Sequence, residues 1–251
     1  MSETKPPFAV LAEDHDKVRV LTLDRPAKLN AFTANGYRVL ADHLDRAAAD
    51  DGVAVCILTG SGRAFSSGVD MSEMGRPGGS TELGAQFDPL LHSLARFPKP
   101  LLAAVNGLAV GFGATILLHC DVVIVDERAE IRMPFVALGT AAEAAATWLL
   151  PRLVGPQYAA WMILSGSPVS AADAVSTGFA RASSAPGEVL HDTLVVAQAM
   201  ASHSVAALMA NKRLLRDGWA DRIDDTWQRE KAAMASLAQE LGPMGWSAEP
   251  G

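Results

Sequence analysis

The chain has 251 residues, 49% of them hydrophobic and only 6% aromatic, with a formal net charge of −7. That length holds one large domain, or one with a small appendage, around a core built chiefly from Ala, Val and Leu. The acidic balance argues against binding driven by neutralising nucleic-acid phosphates, and no run reaches the ~20 apolar residues of a membrane span.

Taken in order, Phe8 to Leu11 and Val18 to Leu23 read as two strands joined by a turn at Asp14-His15-Asp16-Lys17. The first seven residues, Met1 to Pro7, lack the basic start and apolar centre of a secretory signal, so a cytoplasmic protein is expected. Thr33 is placed to cap a helix running to about Ala49, with Val39, Leu40, Leu44, Ala47 and Ala48 at core-facing spacing. Val53 to Thr59 is a buried-strand run. Strand, helix, strand predicts a parallel sheet with crossover helices. Gly75 to Gly84 is rich in Gly, Ser and Pro and reads as a loop, followed by a short amphipathic helix on Leu90, Leu91, Leu94 and Phe97.

Leu101 to Val105, set off by Pro98 and Pro100, is another buried strand, and Ile116 to Cys120 a buried helix. Val122 to Val125 and Ala129 to Met133 read as strands. Glu143 to Leu153, Pro156 to Leu164 and Ser170 to Ser176 read as helices, and Gly178 to Ala182 as an edge strand. From Glu188 the pattern is helical, with breaks near Ser202-His203-Ser204 and Asp217-Gly218. This divides the chain near Pro186-Gly187 into an α/β core (1–186) and a C-terminal helical region (187–251). Cys56 and Cys120 are read as buried reduced thiols, and the six histidines form no short-spaced ligand cluster with them, so no metal is expected.

Two glycine-bearing turns each follow a buried strand: Gly60 to Asp70, and Asn106 to Thr115. Small residues at such turns let a ligand approach the main chain, and a following helix start presents free N–H groups at its positive end. Two such turns can converge two N–H donors on one oxygen. That pair would be an oxyanion hole, each donor worth ~10²–10³ in rate.

The runs Leu23-Asp24-Arg25-Pro26-Ala27-Lys28-Leu29-Asn30-Ala31, Arg63-Ala64-Phe65-Ser66-Ser67-Gly68-Val69-Asp70-Met71 and Asn106-Gly107-Leu108-Ala109-Val110-Gly111 closely resemble the crotonase (enoyl-CoA hydratase/isomerase) superfamily. Cys120-Asp121, Leu138-Gly139 and Leu149-Leu150-Pro151-Arg152-Leu153-Val154-Gly155 extend the likeness, which runs from about Leu23 to about Ala180. The resemblance implies a crotonase-like α/β fold of ββα units with a C-terminal helical region. It also implies an acyl group carried as a coenzyme A thioester, with no prosthetic group, and a homotrimer or dimer of trimers. The ending Leu241 to Gly251 departs from the family's basic helical terminus.

Matched residue by residue, the resemblance makes the Val69 and Phe112 amides the oxyanion donors. It sets Lys28, Ala64, Ser66, Gly68 and Asp70 beside coenzyme A, with Arg25, Arg63 and Lys212 as further sources of positive charge. The 75–84 loop would either border the acyl pocket or be a surface loop. Family hydratases carry two glutamates that activate water, and the corresponding positions here are Thr115 and Phe135. Threonine is a poor base near neutral pH and phenylalanine is none. Glu143, four residues after the Leu138-Gly139 glycine, has the spacing of the acid in the family's double-bond isomerases. Its alanine neighbours would desolvate it and raise its pKa toward a general base's range; the plain alternative is an exposed carboxylate at a helix start. The expected activity is isomerisation of 3-enoyl-CoA to 2-enoyl-CoA, with enoyl-CoA hydration or acyl-CoA binding without turnover as alternatives.

Overall fold

The computed structural model describes residues 8–241. Its first hairpin pairs β1 (Ala9–His15) antiparallel with β2 (Val18–Asp24), in register from Ala9 opposite Asp24 to His15 opposite Val18. Thereafter the chain alternates between two sheets. β3 (Val55–Gly60), β5 (Leu101–Val105), β7 (Val122–Asp126) and β10 (Ala182–Ser184) extend the hairpin into a six-stranded sheet of order β1-β2-β3-β5-β7-β10. The short strands β4 (Ala64–Ser66), β6 (Leu108–Val110), β8 (Glu130–Arg132) and β9 (Val169–Ser170) form a second sheet in that order. β3, β5 and β7 thus each run into a short strand of the other sheet, β4, β6 and β8, the ββ part of a ββα unit.

Both faces of the large sheet are covered, which is why its strands read as unbroken apolar runs rather than alternating ones. Leu21, Leu23, Cys56, Leu58, Ala103 and Val105 pack in the core cluster of α1 (Ala34–Ala49) and α3 (Gly79–Arg96). Val18, Val20, Val55, Ile57, Leu102, Ala104 and Ile124 face the other way, against Val189, Ala197 and Ala201 of α8 (Val189–Ala201). α8, with Val205 and Leu208 following it, therefore closes this face of the sheet. Thr33 caps α1 by accepting from Gly36 N at 2.9 Å, as the sequence predicts, and α2 (Met71–Met74) starts on Asp70 in the same manner. Among the described residues no single helix is long and apolar enough to cross a membrane.

Three expectations are corrected. The predicted loop at 75–84 is loop only to Gly78, whose φ of +76° ends it; α3 begins at Gly79, so Leu90, Leu91 and Leu94 belong to an 18-residue helix that Phe97 caps. The edge strand predicted at Gly178 to Ala182 lies later, at β10, because Gly178 turns with a φ of +82° and pairing with β7 begins at Ala182 opposite Ile124. The helix predicted from Glu143 begins at Ala146 as α5 (Ala146–Val154), since Ala144 and Ala145 both adopt φ +59°. The atypical ending beyond Leu241 lies outside the described residues.

Candidate active site

β4 and β6 are adjacent parallel strands, paired Ala64 with Leu108 and Ser66 with Ala109. Parallel neighbours deliver their C-terminal ends to the same edge, so the two glycine turns that follow them come together. Gly68, in the first turn, has φ +86°, and a β-carbon placed on it would lie 2.7 Å from Val110 O and 3.3 Å from Phe112 N. A β-carbon on Gly113, in the second, would lie 2.2 Å from Ser66 O. Only hydrogen fits between the turns at these two points.

The Phe32–Val69 bridge engages the flanking groups: Phe32 N donates to Gly68 O at 2.7 Å and Asp70 N to Phe32 O at 2.8 Å. Val69 N is thereby turned away from the bridge. Phe112 opens α4 (Phe112–Thr115), where an N–H has no intrahelical acceptor. Among the described residues neither amide has a protein acceptor. Two donors on adjoining turns, one of them at a helix start, suit a developing oxyanion.

The first turn is braced from beneath by Asn30, which is fully buried. Its Oδ1 accepts from Arg25 N at 2.8 Å, and its Nδ2 donates to Ser61 O, Ala64 O and Phe65 O at 2.9, 2.8 and 3.2 Å. Arg25 is 3% exposed and donates to Asp70 Oδ2 at 2.8 Å and Ala31 O at 3.0 Å. This corrects the expectation of Arg25 beside coenzyme A: its guanidinium is spent inside, tying Asp70, next to Val69, to the Asn30 turn. Asp70 also accepts from Ser72 N at 2.9 Å to cap α2. Burial works against its charge, but the Ser72 and Arg25 hydrogen bonds outweigh it and hold the carboxyl below its usual range.

Lys28 and Arg63 are exposed at the rim of these turns. Ala64, Ser66 and Gly68 are buried: Ala64 O accepts from Asn30 and Asn106, and Ser66 Oγ donates to Asn30 O at 2.9 Å. Lys212, 8% exposed, pairs with Asp121 at 2.7 Å and donates to Lys99 O at 2.8 Å. It is committed to the fold, against the expectation that it adds charge for a cofactor.

Glu143 meets Thr115, one helical turn beyond Phe112, through a short hydrogen bond from Thr115 Oγ1 to Glu143 Oε1. The residue keeps some surface, yet its carboxyl is packed closely enough that burial pushes its pKa up to about 8. The Thr115 hydroxyl opposes that rise, and the negative charge of Glu230 adds to it. An exposed carboxylate at a helix start is not what stands here: α5 begins three residues later. Thr115 and Phe135, the positions of the family's two glutamates, are both buried. The Tyr37 phenol lies close enough to be raised by burial and by the Glu143 charge, and its ring packs edge-on against Phe112 at 5.3 Å.

The segment carrying Glu143 is unusual. Two consecutive alanines in the left-handed region cost ~1–3 kcal/mol each, and both are clamped. His119 Nε2 lies 2.9 Å from Ala144 O and, since a carbonyl only accepts, carries the proton. His119 is fully buried, which pushes its pKa down to about 4, so it is neutral at physiological pH. On the other side Glu230 accepts from Ala145 N at 2.8 Å, Thr147 N at 2.9 Å and Thr147 Oγ1 at 2.7 Å.

The sequence profile of the family described as Enoyl-CoA hydratase/isomerase matches residues 13–242. The chain belongs to the enoyl-CoA hydratase/isomerase family, within the crotonase superfamily. It is 36% identical over 231 residues to the 2,3-dehydroadipyl-CoA hydratase of Escherichia coli (strain K12), covering 92% of this chain and 87% of that one. Over 175 residues it is 37% identical to the 1,2-epoxyphenylacetyl-CoA isomerase of the same strain, 67% of each chain. The solved enoyl-CoA hydratase/isomerase from Pseudoalteromonas atlantica T6c superposes with a TM-score of 0.85 at 30% identity, covering 91% of each chain.

Within this crotonase frame, three contributors went unread in the sequence. Asn30 carried a local sign, since Asn tolerates the left-handed conformation it adopts at φ +55°. His119 sits in an apolar run with no neighbouring residue to mark its role. Glu230 had no local sign, its partners lying 83 and 85 residues away.

Proposed function

We propose that this crotonase-superfamily enzyme isomerises a 3-enoyl-CoA to the conjugated 2-enoyl-CoA, with Glu143 as the single acid–base group. The observation that carries the reading is a desolvated carboxyl hydrogen-bonded one turn beyond the Phe112 amide, while Thr115 and Phe135 stand where water-activating glutamates would be. The thioester oxygen accepts from Val69 N–H and Phe112 N–H. Glu143 takes a proton from C2, and the C–H electron pair passes into the C2–C1 bond as negative charge moves to the oxygen. The dienolate then collapses through C4, which receives the proton from Glu143, leaving the double bond between C2 and C3. Donors that strengthen toward the enolate lower the barrier rather than merely tighten binding. A carboxyl with pKa near 8 is matched to this double role, because it both accepts and returns a proton near neutral pH.

Lys28 and Arg63, exposed beside the first turn, are the charges available to coenzyme A phosphates. We take the working state to be a trimer; Leu214 and Leu215, 70% and 79% exposed on α9 (Val205–Leu215), suit a subunit contact.

A second reading is favoured by the relatives, several of which are named hydratases. Addition of water to a 2-enoyl-CoA would then rest on Glu143 alone. Parallel assays on one preparation separate the two readings: conjugation of a 3-enoyl-CoA, followed by the thioester's ultraviolet absorbance, against hydration of a 2-enoyl-CoA. Faster conjugation is expected, and hydration as the dominant activity would overturn the proposal.

A further inference from the structure

The clamp around residues 143–147 joins the catalytic carboxyl to the C-terminal helix. Glu230 lies on α10 (Trp219–Leu241) and is 4% exposed. Both its oxygens accept from backbone N–H groups, Oε2 from Ala145 and Oε1 from Thr147, an acceptor pattern that an ionised carboxylate satisfies in full. Its contacts surround the two left-handed alanines that follow Glu143, and His119 holds the intervening carbonyl from the core side. α10 is itself latched to α3, through Trp227 Nε1 on Asp88 at 2.7 Å, Lys231 Nζ on Asp88 at 2.9 Å and Arg96 on Asp224 at 2.7 Å.

A segment of two adjacent non-glycine left-handed residues holds only if its surroundings over-determine it. Here the determinants are a buried carboxylate and a buried imidazole, which bond the backbone of the segment and the Thr147 hydroxyl. We propose that Glu230 is a positioning residue: by gripping the Ala145 and Thr147 amides it aims Glu143 at Thr115 and at the oxyanion turns. The inference rests on Glu143 being the acid–base group.

The charges facing the pair are few. Tyr37 from α1 and Thr115 from α4 face Glu143, both neutral near pH 7, with Glu73 of α2 acting on Tyr37. Burial raises the Glu230 pKa, opposed by its hydrogen bonds from the Thr147 hydroxyl and the Thr147 and Ala145 amides and by the charge of Arg229 on its own helix, and His119 is neutral. Glu230 is thus the negative charge that acts on Glu143, in the direction of holding its proton.

Two substitutions separate grip from charge. Glu230→Gln keeps the shape but turns an amide N–H₂ toward one of the donors and removes the charge. Glu230→Asp keeps the charge but falls one methylene short of the two amides. Both should lower kcat, by up to ~10²-fold for a misplacement near 1 Å, with KM for the thioester little changed. The acid limb of the kcat profile should move to lower pH in Glu230→Gln and stay nearer the wild-type position in Glu230→Asp. Thr147→Val, which removes only the hydroxyl, serves if the Gln variant does not fold; it should show a smaller fall in kcat. Unchanged kcat and an unshifted acid limb in Glu230→Gln, or in Thr147→Val where that stands in, would overturn the proposal. Glu143→Gln assayed beside them keeps the two readings apart: if it is inactive while Glu230→Gln is normal, only the positioning role fails; if it is active, the acid–base reading fails.

Discussion

In the isomerisation we propose, Glu143 must lose and regain a proton, and its neighbours fix where in pH it can do so. With the folded pKa pushed up to about 8, the rate of a reaction that starts from the carboxylate should rise toward that pH. Thr115→Val removes the hydroxyl that favours the ionised form, so the acid limb should move to higher pH, read from a kcat profile. The same carboxyl sets a stability trend of defined sign. Its pKa is raised on folding from an ordinary 4.5, so the native state binds more proton than the unfolded chain between those values. Stability from this group is full below about 4.5 and is lost as pH rises through about 8. Glu143→Gln should therefore melt above the wild type at pH 9 and together with it at pH 4, a comparison for thermal unfolding. The burial behind this was legible: five alanines in the seven residues around position 143 announced few solvating partners. The left-handed pair at 144 and 145 was not legible, because alanine carries no sign of a conformation that distant residues impose.

At the scale of elements, the site is made by two strand ends meeting. Gly68→Ala would set a methyl 2.7 Å from Val110 O in a backbone region that alanine rarely adopts. Prising the turns apart should misplace one oxyanion donor and cost ~10²–10³ in kcat, with the far-ultraviolet dichroism unchanged. Arg25→Met tests the brace beneath: it strands the Asp70 carboxylate without its buried partner, and an unfolding midpoint reporting ~3–5 kcal/mol lost is expected. The glycines, the strands β1, β2, β3, β5, β7 and β8 and the cap at Thr33 were readable locally, since each is dictated by neighbours in sequence, whereas the short strands β4, β6 and β9 carried no such run. The start of α3 at Gly79 was not, because the Gly-Ser-Pro composition of residues 75–84 argued for a loop. Arg25 and Lys212 misled for the opposite reason. Their charge suggested a phosphate partner, but Asp70 and Asp121, far along the chain, claim them.

Across the whole molecule, the C-terminal helices complete what the sheets begin. α8 covers one face of the large sheet and α10 reaches back to grip the segment bearing Glu143, so the C-terminal helical region belongs to the frame of the proposed site. The trimer we propose predicts a solution mass three times the 26.4 kDa of one chain, measurable by light scattering; a monomer would contradict it. In the reaction we propose, the two sheets and their helices serve a single arrangement, one carboxyl beside a thioester oxygen held by two peptide amides. Its most direct test is the rate at which wild type and Glu143→Gln conjugate a 3-enoyl-CoA at pH 8 under saturating substrate. A fall of ~10²–10⁴ in kcat with the thioester still bound is the predicted result; a variant that isomerises as fast as the wild type would contradict it.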